Sequence, residues 1–196
     1  RFTAGPFAGR IRSFDAEVAP GAEGTFTWTG VRPGTYLYHS ATHPQVQVQM
    51  GLHGAMVRND SDAAKTAYAG VGYDTQALLV FGEIDPDLHA AVAANTYGTA
   101  AGPTSTIGFA PRFFLINGEP YTASTTHGIA ANNGRNLLLR LVNAGIENHA
   151  PQLLGGHYRV IAEDGVALPE AQRHLQYNSL LPAGKTLDVE IGRAHV

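Results

Sequence analysis

The sequence predicts an all-β protein, a sandwich or barrel of short strands, and three observations carry that expectation. Its 196 residues include 23 glycines and 11 prolines but only 15% charged residues, a composition of many turns and few solvated helical faces. Strand-length runs recur between Gly and Pro turn signals along the whole chain. Only one stretch has a helix start signal followed by helix-forming residues. With 44% hydrophobic residues, the chain can bury a substantial core.

The elements follow in order. FDAEV and TFTW, within Phe14 to Trp28, read as two strands separated by Pro20-Gly21, where Pro presets φ and Gly accepts a positive φ. After Arg32-Pro33-Gly34, Thr35 to Ser40 reads as a strand with Thr35, Leu37 and His39 on one face. Gln45 to Met50 alternates Gln with Val or Met, the period of a half-exposed strand, and Gly51 to Val57 is a further strand. Residues 59–74 are polar, Ala-rich and Gly-containing, and are expected to link two units spanning 1–58 and 75–189. In the second unit Gln76 to Phe81 is an apolar strand. Asp85-Pro86 gives an N-cap with Pro at the first helical position, opening a helix to about Ala94. Phe113 to Ile116 turns at Asn117-Gly118, and 136–143, 157–162, 175–180 and 186–189 supply the remaining strands. Residues 190–196, EIGRAHV, read as a non-native tail.

A net charge of −3 without a basic run argues against nucleic acid or an anionic membrane as partner. No apolar run approaches the roughly 18 residues of a membrane span. The absence of cysteine excludes disulfides, thiolate metal sites and a Cys nucleophile from this chain. There is no G-x-S-x-G nucleophile elbow and no phosphate-binding loop.

The chemistry concentrates in Pro33 to Val57, which holds His39, His43 and His53. Imidazole suits Cu, Zn, Fe and Ni, and with no thiolate present an all-histidine site is the kind this segment could build. In a continuous strand His39 and His43 would lie roughly 13 Å apart. The chain must therefore bend between them, and Pro44 biases His43 toward an extended conformation near that point. His53 sits among small neighbours and reads as structural, and Met50 reads as core because an axial thioether on a blue-copper ion also needs a thiolate. His149, His157 and His174 read as hydrogen-bonding residues, His89 as a helix residue, His127 as a loop residue, and Asp164-Gly165 as a turn.

These motifs together resemble the multicopper oxidase family. PGTYLYHS followed by GLHGAMV is similar to the family's second histidine motif and the Gly-Leu-x-Gly strand after it. FFLINGEPY, LLLRLVNAG, HYRVIAEDG and LLPAGKTLDV are similar, in order and spacing, to its central domain. The resemblance implies two cupredoxin-like Greek-key β-barrels, the first truncated at its N-terminus, the second a copper-free spacer. It implies oxidation of a reducing substrate at a type 1 copper, with electrons passed to a trinuclear copper cluster that reduces dioxygen to water. His39 matches a ligand of the type 3 pair. Ala41 occupies the place of the second histidine, and His43 takes that role only if two residues are inserted. The other ligand motifs, including the one with the electron-carrying cysteine, are expected outside this chain, in a cupredoxin domain missing here. This fragment alone is therefore expected to be inactive, and the whole protein to be periplasmic or secreted. Two other classes fit the same residues. One is a degenerate copper-free cupredoxin module, which Ala41 would suit. The other is a copper nitrite reductase, which would need Cys where Ser40 stands.

Overall fold

A computed structural model of the chain describes residues 18–41, 43–120, 122, 128–129, 131 and 134–192. Most of FDAEV, together with His127 and the last four residues of the supposed tail, lies outside them. The strands are β1 (Gly34–His39), β2 (His53–Arg58), β3 (Thr66–Tyr68), β4 (Val71–Gly72), β5 (Thr75–Ile84), β6 (Phe113–Ile116), β7 (Glu119–Pro120), β8 (Leu137–Asn143), β9 (Tyr158–Glu163), β10 (Val166–Ala167), β11 (Leu175–Gln176) and β12 (Thr186–Ile191). Two short α-helices, α1 (Pro44–Gln47) and α2 (Pro86–Ala93), and one 3-10 turn over Glu170–Gln172 interrupt them. The all-β expectation holds.

One sheet of eight strands organises residues 75–191, in the order β10-β9-β12-β8-β5-β6-β7 with β11 also on β9. All its pairings are antiparallel except β5 with β8. Strand β8 (LLLRLVN) is apolar on both faces apart from Arg140 and Asn143, as befits a strand flanked on either side. Leu141, Tyr158, Val160, Leu181, Leu187 and Val189 form one buried cluster. The ladder between β12 and β8 runs to Ile191 opposite Leu137, two residues into the segment set apart above as a tail.

The 59–74 stretch is structured. Strands β3 and β4 form a hairpin that buries Ala67, Tyr68 and Val71 against Leu138, Ile161 and Ala162. At the full burial of these side chains, each large apolar one contributes about 1.5–3 kcal/mol.

Two expected strands are absent. Gln45 to Met50 is the helix α1 and the turn after it, with Val48 N–H donating to Pro44 O at 3.0 Å and Met50 N–H to Val46 O at 2.9 Å. Val46 and Met50 are four apart, so the same residues satisfy a helical period as well as an alternating one. Pro44 at the first helical position decides between them. Thr25 to Trp28 joins no ladder among the described residues, and Phe26 and Trp28 are exposed. The 175–180 strand shortens to β11 followed by single bridges, Asn178 with Gln152 and Leu181 with His149.

Helix α2 begins as its sequence predicts. Asp85 Oδ1 accepts from Asp87 N–H and Leu88 N–H, while Oδ2 accepts from Ala110 N–H at 3.0 Å and so fixes the returning loop. Burial pushes the Asp85 carboxyl up, but those three backbone donors and Arg112 outweigh it and hold it below the usual carboxylate value. A depressed carboxylate stabilises the fold above its unfolded value and loses that contribution as pH falls through the folded one. Asp85→Ala is therefore expected to cost about 1–2 kcal/mol near neutral pH, with the difference from wild type shrinking below about pH 4. Urea unfolding at both pH values checks this.

Strand β1 is seated against the eight-stranded sheet at a glycine contact and a polar cluster. Asp164 and Gly165 have φ of 47° and 72°, the left-handed turn their sequence predicted, and Tyr36 lies over it. A Cβ on Gly165 would come 2.4 Å from the Tyr36 ring. Gly165→Ala is expected to cost about 1–3 kcal/mol, from left-handed strain and from displacing that ring. Denaturant unfolding of the 196-residue chain measures it.

The polar cluster lies beneath β1. Thr35 is fully buried; its hydroxyl donates to Asp188 Oδ1 at 2.6 Å and accepts from Arg140 Nη1 at 2.9 Å. Arg140 Nη1 also meets Asp188 Oδ2 at 2.8 Å, with both side chains 1% exposed. Tyr68 OH donates to the same carboxylate, Arg140 Nη2 to Asn59 Oδ1, and Arg140 Nε to Gln76 Oε1 at 3.1 Å. Thr186 Oγ1 closes the cluster on the Thr35 carbonyl at 2.9 Å.

Candidate metal centre

Strand β1 emerges from that seat and pairs with β2 in register Thr35↔Val57, Leu37↔Ala55, His39↔His53. Opposed residues of an antiparallel pair project from the same face. His39 and His53 therefore share a face at the end of the hairpin where residues 40–52 connect the two strands. Beyond it, Ser40 N–H donates to Leu52 O at 2.9 Å. That bond makes Ser40 and Leu52 the hydrogen-bonded position and leaves His39 and His53 at the non-bonded one, where opposed side chains come closest. Gly54, the neighbour of His53 on the other face, is covered by the Tyr38 ring.

Each of the two imidazoles is oriented by a main-chain carbonyl. His39 Nδ1 lies 2.8 Å from Ser40 O and His53 Nδ1 lies 3.1 Å from Val48 O. A carbonyl can only accept, so Nδ1 carries the hydrogen in both rings and Nε2 of the neutral ring presents its lone pair. This arrangement, one ring nitrogen bonded and the other free, is that of metal-bound histidines.

His43 is placed differently. It precedes α1 as its N-cap residue, exposed, with its ring centroid 5.8 Å from that of Tyr97. Its backbone N–H donates to Gln47 Oε1 at 3.2 Å, and Ser40 Oγ donates to the same oxygen. Gln47 thus ties the end of β1 to α1 and makes the bend the sequence required. The bend does not stack His43 on the His39–His53 face, because His43 turns toward the loop after α2. Among the described residues, no group of three or more His, Cys, Asp or Glu side chains is arranged to hold a metal ion. The donor set present, two neutral imidazoles and no thiolate, suits copper(II).

Sequence reasoning missed several of the groups around this centre. The register that sets His53 opposite His39 follows from the α1 turn, where the alternating sequence predicts a strand. Glu83, buried on β5, was not singled out; it accepts from Ile146 N–H at 2.9 Å and pairs with His149 Nε2 at 2.7 Å, the hydrogen-bonding role expected of His149. Next to it lies a cavity of about 240 Å³ lined by Gln49, Met50, His53, Phe81, Glu83 and His89 among others. Gln49 Oε1 and His89 Nε2 are buried there without a hydrogen-bond partner among the described residues.

The multicopper oxidase family model matches residues 79–190, more than half of the chain. Among solved structures, the chain is similar to a blue copper oxidase from Nitrosomonas europaea, at 21% identity and a TM-score of 0.60, over 82% of this chain and 46% of that one. It is similar to a laccase from Botrytis aclada, at 22% identity and a TM-score of 0.57, over 84% of this chain and 30% of that one. It is also similar to a copper nitrite reductase from Nitrosomonas europaea, at 22% identity and a TM-score of 0.61, over 90% and 59%. These likenesses show the cupredoxin-like fold, and the chain spans less than two thirds of each protein's length. No curated protein matches the sequence.

Proposed function

This chain belongs to the multicopper oxidase family, and from that premise we propose that it is part of an enzyme coupling one-electron oxidation of a reducing substrate to reduction of dioxygen to water. Copper is the cofactor of the family. It supplies the stepwise electron transfer when bound. The chain's own contribution is to hold imidazole at the edge of the trinuclear cluster, with His39 as a ligand and His43 as the candidate for the displaced second position. The observation that carries this reading is His39 itself. It is exposed, ends a strand anchored through Thr35 to a buried ion pair, and has its Nδ1 engaged by the Ser40 carbonyl, which leaves Nε2 as the coordinating nitrogen.

The 1–58 and 75–189 units are read as cupredoxin domains, and the partner that completes the cluster as a further cupredoxin domain of the same protein. The enzyme is read as periplasmic or secreted. Among the described residues no helix is long and apolar enough to cross a membrane. A copper-free structural module is the second reading, favoured by Ala41 at a ligand position and by the lack of a three-ligand cluster within the described residues. A nitrite reductase stands behind both, because Ser40 occupies the place of the cysteine it would need.

The test is made on the full-length gene product. The oxidase reading expects an H-x-H motif before Arg1, an H-C-H motif after Val189, bound copper, and oxygen uptake with a phenolic substrate. A full-length protein that lacks both motifs and binds no copper overturns it in favour of the structural module.

A further inference from the structure

We propose that His53 is a metal ligand, and that His39 and His53 together form a cross-strand chelate that binds one copper(II) ion in this chain without any missing domain. The proposal rests on the reading of His39 as a copper ligand and extends it to a residue that the sequence motif marks only as the variable position of Gly-Leu-x-Gly.

Three independent observations converge on the pair. The register sets His39 directly opposite His53. The Ser40 to Leu52 bond puts them at the non-hydrogen-bonded position, where the opposed backbones approach within about 4.5 Å. Both rings donate Nδ1–H to a carbonyl and have no Nε2 partner among the described residues, so neither has to rearrange or change tautomer to coordinate. Two ligands fixed on one rigid hairpin bind as a chelate, because the second coordination is intramolecular once the first has formed. The donor chemistry selects the ion. Neutral imidazoles without a thiolate favour copper(II) over zinc or nickel in the order of divalent affinities. His39 is exposed and His53 only half-buried, which leaves the remaining coordination positions open to water or to ligands from elsewhere in the protein.

The experiment titrates copper(II) alone into the 196-residue chain, with calorimetry for affinity and electron paramagnetic resonance for nitrogen coupling. One site with coupling from two imidazole nitrogens is expected. His39→Asn and His53→Asn each keep a donor near the Nδ1 position for the Ser40 or Val48 carbonyl and delete Nε2. Each is expected to weaken binding at least about tenfold and to remove one nitrogen from the spectrum, the loss of one coordinate bond of a chelate. His174→Ala, at an exposed histidine remote in sequence, is expected to change neither.

If His53→Asn binds copper as the wild type does while His39→Asn does not, the proposal is overturned and the reading of His39 stands. If both variants bind as wild type, both fall. If His53→Ala weakens binding but His53→Asn does not, the ring acts through its bond to Val48 and the ligand role is overturned.

Discussion

Replacing Arg140 with alanine is expected to destabilise the chain by about 3–5 kcal/mol, the cost of removing one partner from a buried ion pair. Asp188 is 1% exposed, and burial pushes its carboxyl up while Arg140 and the hydroxyls of Thr35 and Tyr68 pull against that. Without the guanidinium, burial is opposed by the two hydroxyls alone. Asn59 and Gln76 lose their donor at the same time. The double variant Arg140→Ala, Asp188→Ala should recover part of the loss, since it leaves no uncompensated charge. Denaturant unfolding of the four members of the cycle yields the coupling directly. A single variant that costs less than about 1 kcal/mol would mean that the pair is no stronger than an exposed one. The effect should also be spatially specific. Thr35 ties β1 to this cluster, so amide exchange across Gly34–His39 is expected to accelerate.

His39→Asn in the full-length protein is expected to lower oxygen uptake by more than about a hundredfold, beyond the 10–100-fold typical of residues that only orient a metal ligand. The substitution leaves the folded chain intact, because His39 is exposed and its one side-chain hydrogen bond among the described residues, to the Ser40 carbonyl, can be kept by the Asn amide. Unfolding midpoints within about 0.5 kcal/mol of wild type would establish that, as for other exposed positions. Copper content should fall together with activity. Undiminished copper and oxygen uptake would remove His39 from the cluster.

Much of the fold was legible because its signals are local. Asp85-Pro86 caps α2, Asp164-Gly165 supplies two left-handed residues, and Asn117-Gly118 turns β6 into β7, each by chemistry within four residues. Gln45 to Met50 was misread because six residues with apolar positions at both period two and spacing four do not decide between strand and helix. Pro44 does, through the backbone it allows. The depth at which Ala67, Tyr68 and Val71 are buried is not legible in the sequence, because the polar and small residues of 59–74 hide it.

The candidate site divides along the same line. By itself the sequence determined that this chain is all-β and carries no thiolate ligand of its own, and that His39 ends a strand in a motif like that of a copper-binding family. Those properties depend on composition and on neighbours along the chain. Only the tertiary structure decided that His53 stands opposite His39, that His43 turns toward Tyr97, and that Thr35, Arg140 and Asp188 meet beneath the strand that carries the ligand. Strand register is set by the length and shape of the connection between β1 and β2. The partners of the buried charge come from positions as far as 153 residues apart. Neither leaves a periodic trace in the sequence.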